Sequence, residues 1–372
     1  MDGLETVAGI KKAGPKRKRM QKIVRNSNAC LVSNRMQRDS NFELLRIVCM
    51  LMIVSHHFIT QIYNGNTLIN NSLLGSTINA LCYVGVNCFI LTSGWFRIKV
   101  NWKSFLNLFL CCSFYGLASY FFHLIKDDAS IGKSLIKWAI FPLSGSKWWF
   151  VNCYLILYLC SPLINTALQH ISRREHLTIL CLLTICNVYF GNVMQADFFN
   201  QDGYSAAQFI YVYIIGDYLR RYTSAPRVRE RRWQFLICYF VFAMLWLFHK
   251  MIRLKLGFSP FLSTGYNNVF NLCASVCFFL FMSSFCFKCR FVNYIAASAF
   301  SVYLLQESTY FGRGWLYPRI GELYDHLTVA GQIGAMLALS VSFFTIVTIF
   351  DQLRLLLNNS IIYLTDSFFK RK

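Results

Sequence analysis

The chain has 372 residues, of which 56% are hydrophobic, 17% aromatic and only 14% charged. Soluble domains carry roughly 25% charged residues, so this composition excludes an ordinary soluble enzyme, and the high apolar content excludes a disordered chain. The formal net charge is +21. The basic residues form short clusters between long apolar runs, which is typical of a multi-span membrane protein rather than a nucleic-acid-binding one.

Apolar runs of about 20 residues are long enough to cross a bilayer, and they predict an all-α protein with about ten transmembrane helices. In chain order the predicted spans are 44–63, 77–96, 104–125, 148–169, 176–194, 206–219, 233–250, 266–285, 291–311 and 327–350. If the N-terminus is cytoplasmic, the cytoplasmic segments hold 27 Lys and Arg residues and the external segments hold nine. The positive-inside rule therefore predicts that both termini are cytoplasmic.

Three regions are predicted along the chain. Residues 1–38 form a basic cytoplasmic tail whose KKAGPKRKRMQK stretch is too polar to fold. This tail either touches anionic lipid or lies upstream of the true start of translation, since Met36 begins a short lead into the first span. Residues 39–352 form the membrane domain, and residues 353–372 form a cytoplasmic C-terminal tail.

Most of the fifteen cysteines lie inside the predicted spans. A thiol in such a helix behaves as a small hydrophobic side chain, so a disulfide framework is not predicted. Cys286 and Cys289 form a C-x-x-C pair, but no second pair or nearby histidine completes a zinc site. No metal site is predicted.

Ionisable side chains inside the membrane are costly and are candidates for function. Arg46 and His57 are eleven residues apart, which places them about 20° from a common helix face and about 16 Å apart along the axis. His56 points about 100° away and is expected to bond to a neighbouring helix. The alternative is structural: Arg46 snorkels to the headgroups and both histidines only hold helices together.

The second span contains small residues and ends in a basic collar. Ser93 and Gly94 permit close packing of a neighbouring helix, or they admit a ligand. Arg97 and Lys99 follow at the predicted cytoplasmic end, where they form a collar that can hold anionic groups such as phosphates.

The later spans contain further polar and aromatic side chains. Trp148 and Trp149 are expected to anchor the fourth span at the membrane interface. Glu307 is isolated in the ninth span and needs a cation or a proton, and Arg313 is six residues away, too far for a pair within one helix. Asp217 and Asp351 lie at span ends, where they are expected to reach water.

Four stretches of the chain resemble acyltransferase family 3, the ten-helix membrane O-acyltransferases of bacterial surface glycans. They are FELLRIVCMLMIVSHHF, GVNCFILTSGWF, WWFVNCYLILYLCSPLIN and SVYLLQES, and they occur in the order found in the family. The resemblance covers residues 39 to about 350. It implies a multi-pass protein of the bacterial cytoplasmic membrane.

The resemblance also carries roles to individual residues. Arg46 and His57 match the first-helix Arg-x10-His pair that the family is thought to need for activity. Ser93 and Gly94 match the small-residue motif of the second helix, Arg97 lies where relatives have basic residues, and Tyr303 matches a tyrosine of a late helix. Relatives often have a histidine near the position of Gln306, and its absence puts the role of that position in doubt.

The chemistry implied by the resemblance is acyl transfer from acyl-CoA, most simply acetyl-CoA, to a sugar hydroxyl of a cell-surface polysaccharide or lipid-linked glycan. Arg46, Arg97, Lys99 and Ser93 are predicted to bind the CoA co-substrate. His57 is predicted to act as a general base or to carry a transient acyl group, with Arg46 and Glu307 completing the catalytic set. No cofactor is predicted to be permanently bound.

The competing hypothesis is a multi-span transporter or flippase for a glycan or small metabolite. Transporters commonly contain internal repeats and paired Gly or Pro interruptions. No convincing repeat relates the halves of this chain, which has only six prolines. A transporter also needs no acyl donor, so stabilisation by acetyl-CoA discriminates between the two hypotheses.

Overall fold

The computed structural model describes residues 39–127, 132, 148–194, 201–256 and 263–369. Within these ranges the backbone is predominantly helical and contains no β-strand, which confirms the prediction of an all-α protein. The predicted basic tail, residues 1–38, lies outside the described residues.

The helices vary widely in length. In chain order they are α1 (Ser40–Thr60), α2 (Leu68–Asn71), α3 (Leu73–Cys82), α4 (Gly85–Phe96), α5 (Trp102–Lys126), α6 (Trp149–His170), α7 (Arg173–Cys186), α8 (Ala206–Tyr222), α9 (Ala225–Glu230), α10 (Arg232–Leu256), α11 (Val269–Ser283), α12 (Arg290–Ala296), α13 (Ala299–Gln306), α14 (Tyr317–Asp325) and α15 (Val329–Phe369). Two π-helical segments, Asn187–Val193 and Thr309–Leu316, extend α7 and precede α14, respectively.

Seven helical stretches are long and apolar enough to cross a membrane. They coincide with seven of the ten predicted spans and comprise Ser40–Thr60, Leu73–Phe96, Trp102–Lys126, Trp149–His170, Arg173–Val193, Arg232–Arg253 and Val329–Asn358. The sixth and eighth predicted spans are helical but shorter, with 17 residues in α8 and 15 in α11. The multi-span architecture is confirmed, whereas the count of ten and the cytoplasmic termini stay predictions.

The ninth predicted span, 291–311, is not one helix, so that prediction is wrong. The helix α13 is capped by Glu307, and Ser308 then adopts an extended backbone with φ −67° and ψ 147°. The Oγ atom of Ser308 accepts a hydrogen bond from the backbone N of Gly312 at 3.1 Å. A Cβ atom on Gly312 would lie 1.7 Å from the carbonyl O of Gln306, so this tight return of the chain needs glycine.

Helix α1 occupies the centre of the protein. It contacts α3, α4, α11, α12, α13 and α15, and 67% of its apolar window is buried, the largest share among the seven stretches. Polar side chains on α1 are therefore surrounded by protein rather than by lipid. This central position allows a helix of spanning length to carry ionisable side chains, because they do not face lipid.

Helices α4 and α8 approach closely at two glycines. A Cβ atom on Gly94 would lie 2.1 Å from the carbonyl O of Tyr213, and one on Gly216 would lie 2.4 Å from the carbonyl O of Leu91. The small residues of the second span were expected either to permit close helix packing or to admit a ligand. Gly94 serves helix packing. It leaves no space there for a ligand.

The cysteines in the described ranges are free. Among the same residues there is no group of three His, Cys, Asp or Glu side chains that could hold a metal ion. Many of the thiols are buried within the helix bundle, where they pack as small apolar groups.

Candidate active site

Three ionisable residues of α1, Glu43, Arg46 and His57, lie along one stripe of the helix. Glu43, Arg46, Met50, Ile53 and His57 follow one another at spacings of three and four residues, which places them on the same face. Arg46 lines a large cavity, whereas Met50, Ile53 and His57 line a small one that adjoins it. One helix face thus presents a guanidinium to one cavity and an imidazole to a neighbouring one.

The larger cavity has a volume of about 600 Å³ and a basic lining. Its two acidic side chains, Asp39 and Glu43, are outnumbered by basic ones. The basic side chains are those of Arg46, Arg97, Lys99 and Arg354. Ser93 lines the same space. We call it the cationic cavity, and it brings together all four residues that the sequence predicts for CoA binding.

Two arginines of the cationic cavity are paired but remain partly accessible. Arg46 Nη1 donates to Glu43 Oε2 at 3.0 Å, and Arg97 Nε donates to Asp217 Oδ1 at 2.5 Å. The arginine side chains are 31% and 27% exposed, respectively. A guanidinium has five N–H donors, so pairing with one carboxylate leaves donors for an anionic ligand. Lys99 is exposed.

Arg354 is a cavity residue that sequence reasoning missed. Its Nε and Nη2 atoms donate to Asp351 Oδ1 and Oδ2 at 2.6 and 2.8 Å. Asp351 and Asp217 are both 0% exposed, so the prediction that these carboxylates reach water is wrong, because arginines rather than solvent compensate them. The i,i+3 spacing of Asp351 and Arg354 was the available signal for their pairing.

Arg97 has an unusual backbone conformation, with φ 56° and ψ 117°. Positive φ costs a non-glycine residue about 1–3 kcal/mol and persists only where the surroundings impose it. The following residue is held on both sides, because Ile98 N donates to Tyr213 Oη at 3.0 Å and Asn165 Nδ2 donates to Ile98 O at 2.9 Å. Helices α6 and α8 thereby fix the chain just after α4. At this point Arg97 pairs with Asp217 and lines the cationic cavity.

Three phenylalanines separate the two cavities. Phe89, Phe150 and Phe300 line both of them, and we call these residues the aromatic constriction. Beyond it the smaller cavity has a volume of about 20 Å³, and we call it the histidine cavity. Its lining is mainly aromatic and aliphatic and consists of Met50, Ile53, His57, Val86, Phe89, Trp149, Phe150, Tyr266, Phe300 and Tyr303.

His57 is oriented by two groups at its Nδ1 atom. Gln306 Oε1 lies 3.2 Å and Glu307 Oε1 lies 3.3 Å from Nδ1. The amide nitrogen of Gln306 donates to Val54 O at 3.3 Å, so the amide oxygen faces the imidazole. Two acceptors at Nδ1 place the proton on that nitrogen. The tautomer assigned in this way leaves Nε2 able to accept a proton.

Glu307 is a buried carboxylate that joins several partners. Arg313 Nε donates to Glu307 Oε2 at 3.1 Å, and Tyr317 Oη donates to Glu307 Oε1. Six residues are too far for a pair within one helix, as predicted, but the helix ends at Glu307 and the bend at Ser308 brings Arg313 back to the carboxylate. A carboxylate fixed by an arginine and a tyrosine can orient His57 and stabilise its charged form.

His56 bonds to a neighbouring helix, as predicted. Its Nδ1 atom lies 2.6 Å from Asn79 Oδ1 on α3, and its ring packs edge-on against Tyr83 at 5.1 Å between centroids. Neither cavity is lined by His56. The two adjacent histidines therefore differ in environment, and only His57 faces a cavity.

The two tryptophans that begin the fourth span are not interface anchors, so this prediction is wrong. Trp148 is 0% exposed, and Trp149 lines the histidine cavity. The ring of Trp149 packs against Tyr204 and Tyr266 at centroid distances of 4.5 and 5.7 Å. The pair of aromatic residues at the start of an apolar run gave no signal that separates a cavity wall from an interface anchor.

The helices of spanning length define a multi-span membrane protein. Its cationic cavity can hold an anionic ligand, and His57 in the neighbouring cavity can accept a proton. The family model described as an acyltransferase domain, that of acyltransferase family 3, matches residues 39–352. The chain therefore belongs to this family and is a membrane acyltransferase. No curated protein and no solved structure matches the chain significantly.

Proposed function

We propose that the protein transfers an acyl group from acyl-CoA, in the simplest case acetyl-CoA, to a sugar hydroxyl of a cell-surface polysaccharide or lipid-linked glycan. The bacterial cytoplasmic membrane is the proposed location. One observation carries the proposal: the cationic cavity and the histidine cavity share a wall, which is formed by the three phenylalanines of the aromatic constriction. The sugar acceptor rests on the resemblance of the four sequence stretches to the family.

The cationic cavity suits the nucleotide end of a CoA ester. CoA carries several phosphate oxygens, and Arg46, Arg97, Lys99 and Arg354 line a space of about 600 Å³, within the usual size of a small-molecule site. Arginine forks match phosphate geometry. The slender pantetheine arm then extends along the α1 face, past the aromatic constriction, and brings the thioester to His57.

His57 acts as the general base in this proposal. Its Nε2 atom takes the proton of the sugar hydroxyl while the hydroxyl oxygen attacks the thioester carbonyl carbon. The C–O bond forms, the C–S bond breaks, and the proton passes to the leaving CoA thiolate. The carboxylate of Glu307 stabilises the imidazolium that forms in between, and its own charge is balanced by Arg313.

The test replaces one histidine and keeps another as a matched control. His57→Gln removes the base, while His123→Gln changes a histidine that lines neither cavity and pairs with Asp127 at 2.7 Å. Inverted membrane vesicles carrying either variant are incubated with radiolabelled acetyl-CoA, and label in the glycan fraction is measured at equal protein level. A general base contributes about 10²–10⁴-fold, so we expect that loss for His57→Gln alone. Equal labelling by both variants overturns the proposed chemistry.

Transport is tested separately by the response to the donor. An acyltransferase binds acetyl-CoA, so the purified protein should unfold at a higher temperature in its presence, and this shift should shrink in Arg46→Gln. A transporter for a glycan shows neither effect. Stabilisation without transfer of label would favour binding without catalysis.

A further inference from the structure

A third cavity shares no lining residue with the two cavities of the candidate active site. It has a volume of about 660 Å³ and lies where α9 meets the start of α10. Its lining consists of Ala225, Pro226, Arg229, Glu230, Arg232 and Trp233. The reaction proposed above does not use this space, which we call the α9 cavity.

The α9 cavity lies in a strongly basic segment of the chain. Residues 220–232 include six arginines and one acidic residue, Glu230. Arg229 and Arg232 line the cavity, and neither takes part in an ion pair among the described residues. The guanidinium of Arg232 lies 5.3 Å from the ring centroid of Trp233. Guanidinium groups without a carboxylate partner are suited to phosphate, because its oxygens accept several N–H groups at once.

This basic segment lies at the same end of the helices as the cationic cavity. The guanidinium of Arg220 lies 5.3 Å from the ring centroid of Trp95, and Arg97, two residues after Trp95, lines the cationic cavity. The positive-inside rule predicts that residues 220–232 are cytoplasmic. The α9 cavity is therefore expected at the inner surface of the membrane, where anionic headgroups attract basic segments.

An exposed apolar face begins at the α9 cavity and continues along α10. Trp233 is 58% exposed, and further large exposed side chains follow it at spacings of three or four residues, which keeps them on one side of the helix. They are Ile237, Val241, Leu245 and Phe248. Only 22% of the apolar window of this helix is buried, the smallest share among the seven stretches. The row is about 22 Å long, so it can pack against lipid chains.

We propose that the α9 cavity binds the headgroup of an anionic phospholipid. The phosphate lies between Arg229 and Arg232, the hydroxyl groups of a glycerol headgroup donate to Glu230, and the acyl chains pack along the exposed face of α10. Two arginines outnumber the one carboxylate, so the cavity favours a headgroup of net negative charge over a zwitterionic one. A soluble phosphate would occupy the cavity but leave the apolar face uncovered, whereas a phospholipid uses both features.

The experiment compares two double variants that lose the same charge. Arg229→Gln with Arg232→Gln removes the two cavity arginines. Arg227→Gln with Arg231→Gln is the control, because these two arginines are exposed members of the same segment that do not line the cavity. Each purified full-length protein is titrated with phosphatidylglycerol in neutral detergent, and the bound lipid is counted by native mass spectrometry.

The expected loss of affinity follows from the number of arginines removed. A basic residue near an anionic lipid contributes about 1 kcal/mol, or about fivefold in affinity, so the Kd should rise by about 25-fold in the cavity variant. At about 0.15 M salt, charges more than about 8 Å from the lipid are largely screened, and the Kd of the control should rise less than about twofold. Equal losses in the two double variants would indicate a diffuse basic surface and overturn the proposed site.

Other ligands test the chemistry of the site on the wild-type protein, so the result does not depend on a variant that folds. Phosphatidylethanolamine should bind more weakly than phosphatidylglycerol, and glycerol phosphate should not displace the lipid at equal concentration. Equal binding of the two lipids overturns the preference for an anionic headgroup, and displacement by glycerol phosphate overturns a lipid site. A dimer that excludes the lipid would assign the face of α10 to a second copy of the chain instead. Lipid binding is independent of acyl transfer, so either proposal can fail without the other.

Discussion

The charge of Glu307 is the feature of the site whose removal has the clearest expected effect on rate. Glu307→Gln keeps the size of the side chain but removes the negative charge 3.3 Å from His57 Nδ1. A hydrogen bond to a charged partner contributes about 1.5–3 kcal/mol and a neutral one about 0.5–1.5 kcal/mol. The difference, about 1–1.5 kcal/mol, corresponds to about fivefold to thirteenfold in rate.

The attraction between Glu307 and a charged His57 is gained during the reaction, because the imidazolium forms only then. In the resting site the carboxylate is already balanced by Arg313, so its attraction for a charged His57 is gained on the way to the transition state. The loss should therefore fall on kcat. The KM for acetyl-CoA should change little, because Glu307 does not line the cationic cavity.

The assay measures initial rates in inverted vesicles over a range of acetyl-CoA concentrations. Tyr317→Phe is the matched control, since it removes another hydrogen bond to Glu307 but keeps the carboxylate charge, and we expect a smaller loss of kcat. The side chain of Arg313 is 32% exposed and can turn towards solvent in Glu307→Gln, so thermal unfolding is measured alongside. An unchanged kcat in a folded Glu307→Gln protein would refute the charge-stabilising role.

Two further substitutions test the cationic cavity and the helix packing. Arg46→Lys keeps the charge but loses the forked pair of donors. We expect the KM for acetyl-CoA to rise by about 2- to 13-fold, the equivalent of about 0.5–1.5 kcal/mol. An unchanged KM in steady-state assays would count against phosphate binding by Arg46. Gly94→Ala places a Cβ atom 2.1 Å from Tyr213 O, so the free energy of unfolding should fall by about 1–3 kcal/mol. Gly334→Ala, where an added Cβ meets nothing within 4 Å, should not destabilise the protein in the same unfolding assay, and equal losses would show that the close approach at Gly94 is unimportant.

The break at Glu307 shows why hydropathy was an incomplete guide to this fold. Residues 291–311 are apolar enough to suggest a span, and hydropathy averages over a window. It does not register that Ser308 and Gly312 together close a tight return of the chain. The rule that aromatic residues anchor the ends of spans likewise treated Trp148 as an interface residue, although the helices around it bury it completely.

The sequence by itself determined the all-α, multi-span architecture and the family, because apolar length and motif order are properties of the chain alone. It also predicted that His56 bonds to a neighbouring helix, since helical geometry fixes the directions of neighbouring residues on one helix. Only the tertiary structure decided that Arg313 reaches Glu307, that Arg354 lines the cationic cavity and that two cavities meet at the aromatic constriction. Those features depend on contacts between helices distant in the sequence, and local spacing carries no information about such contacts.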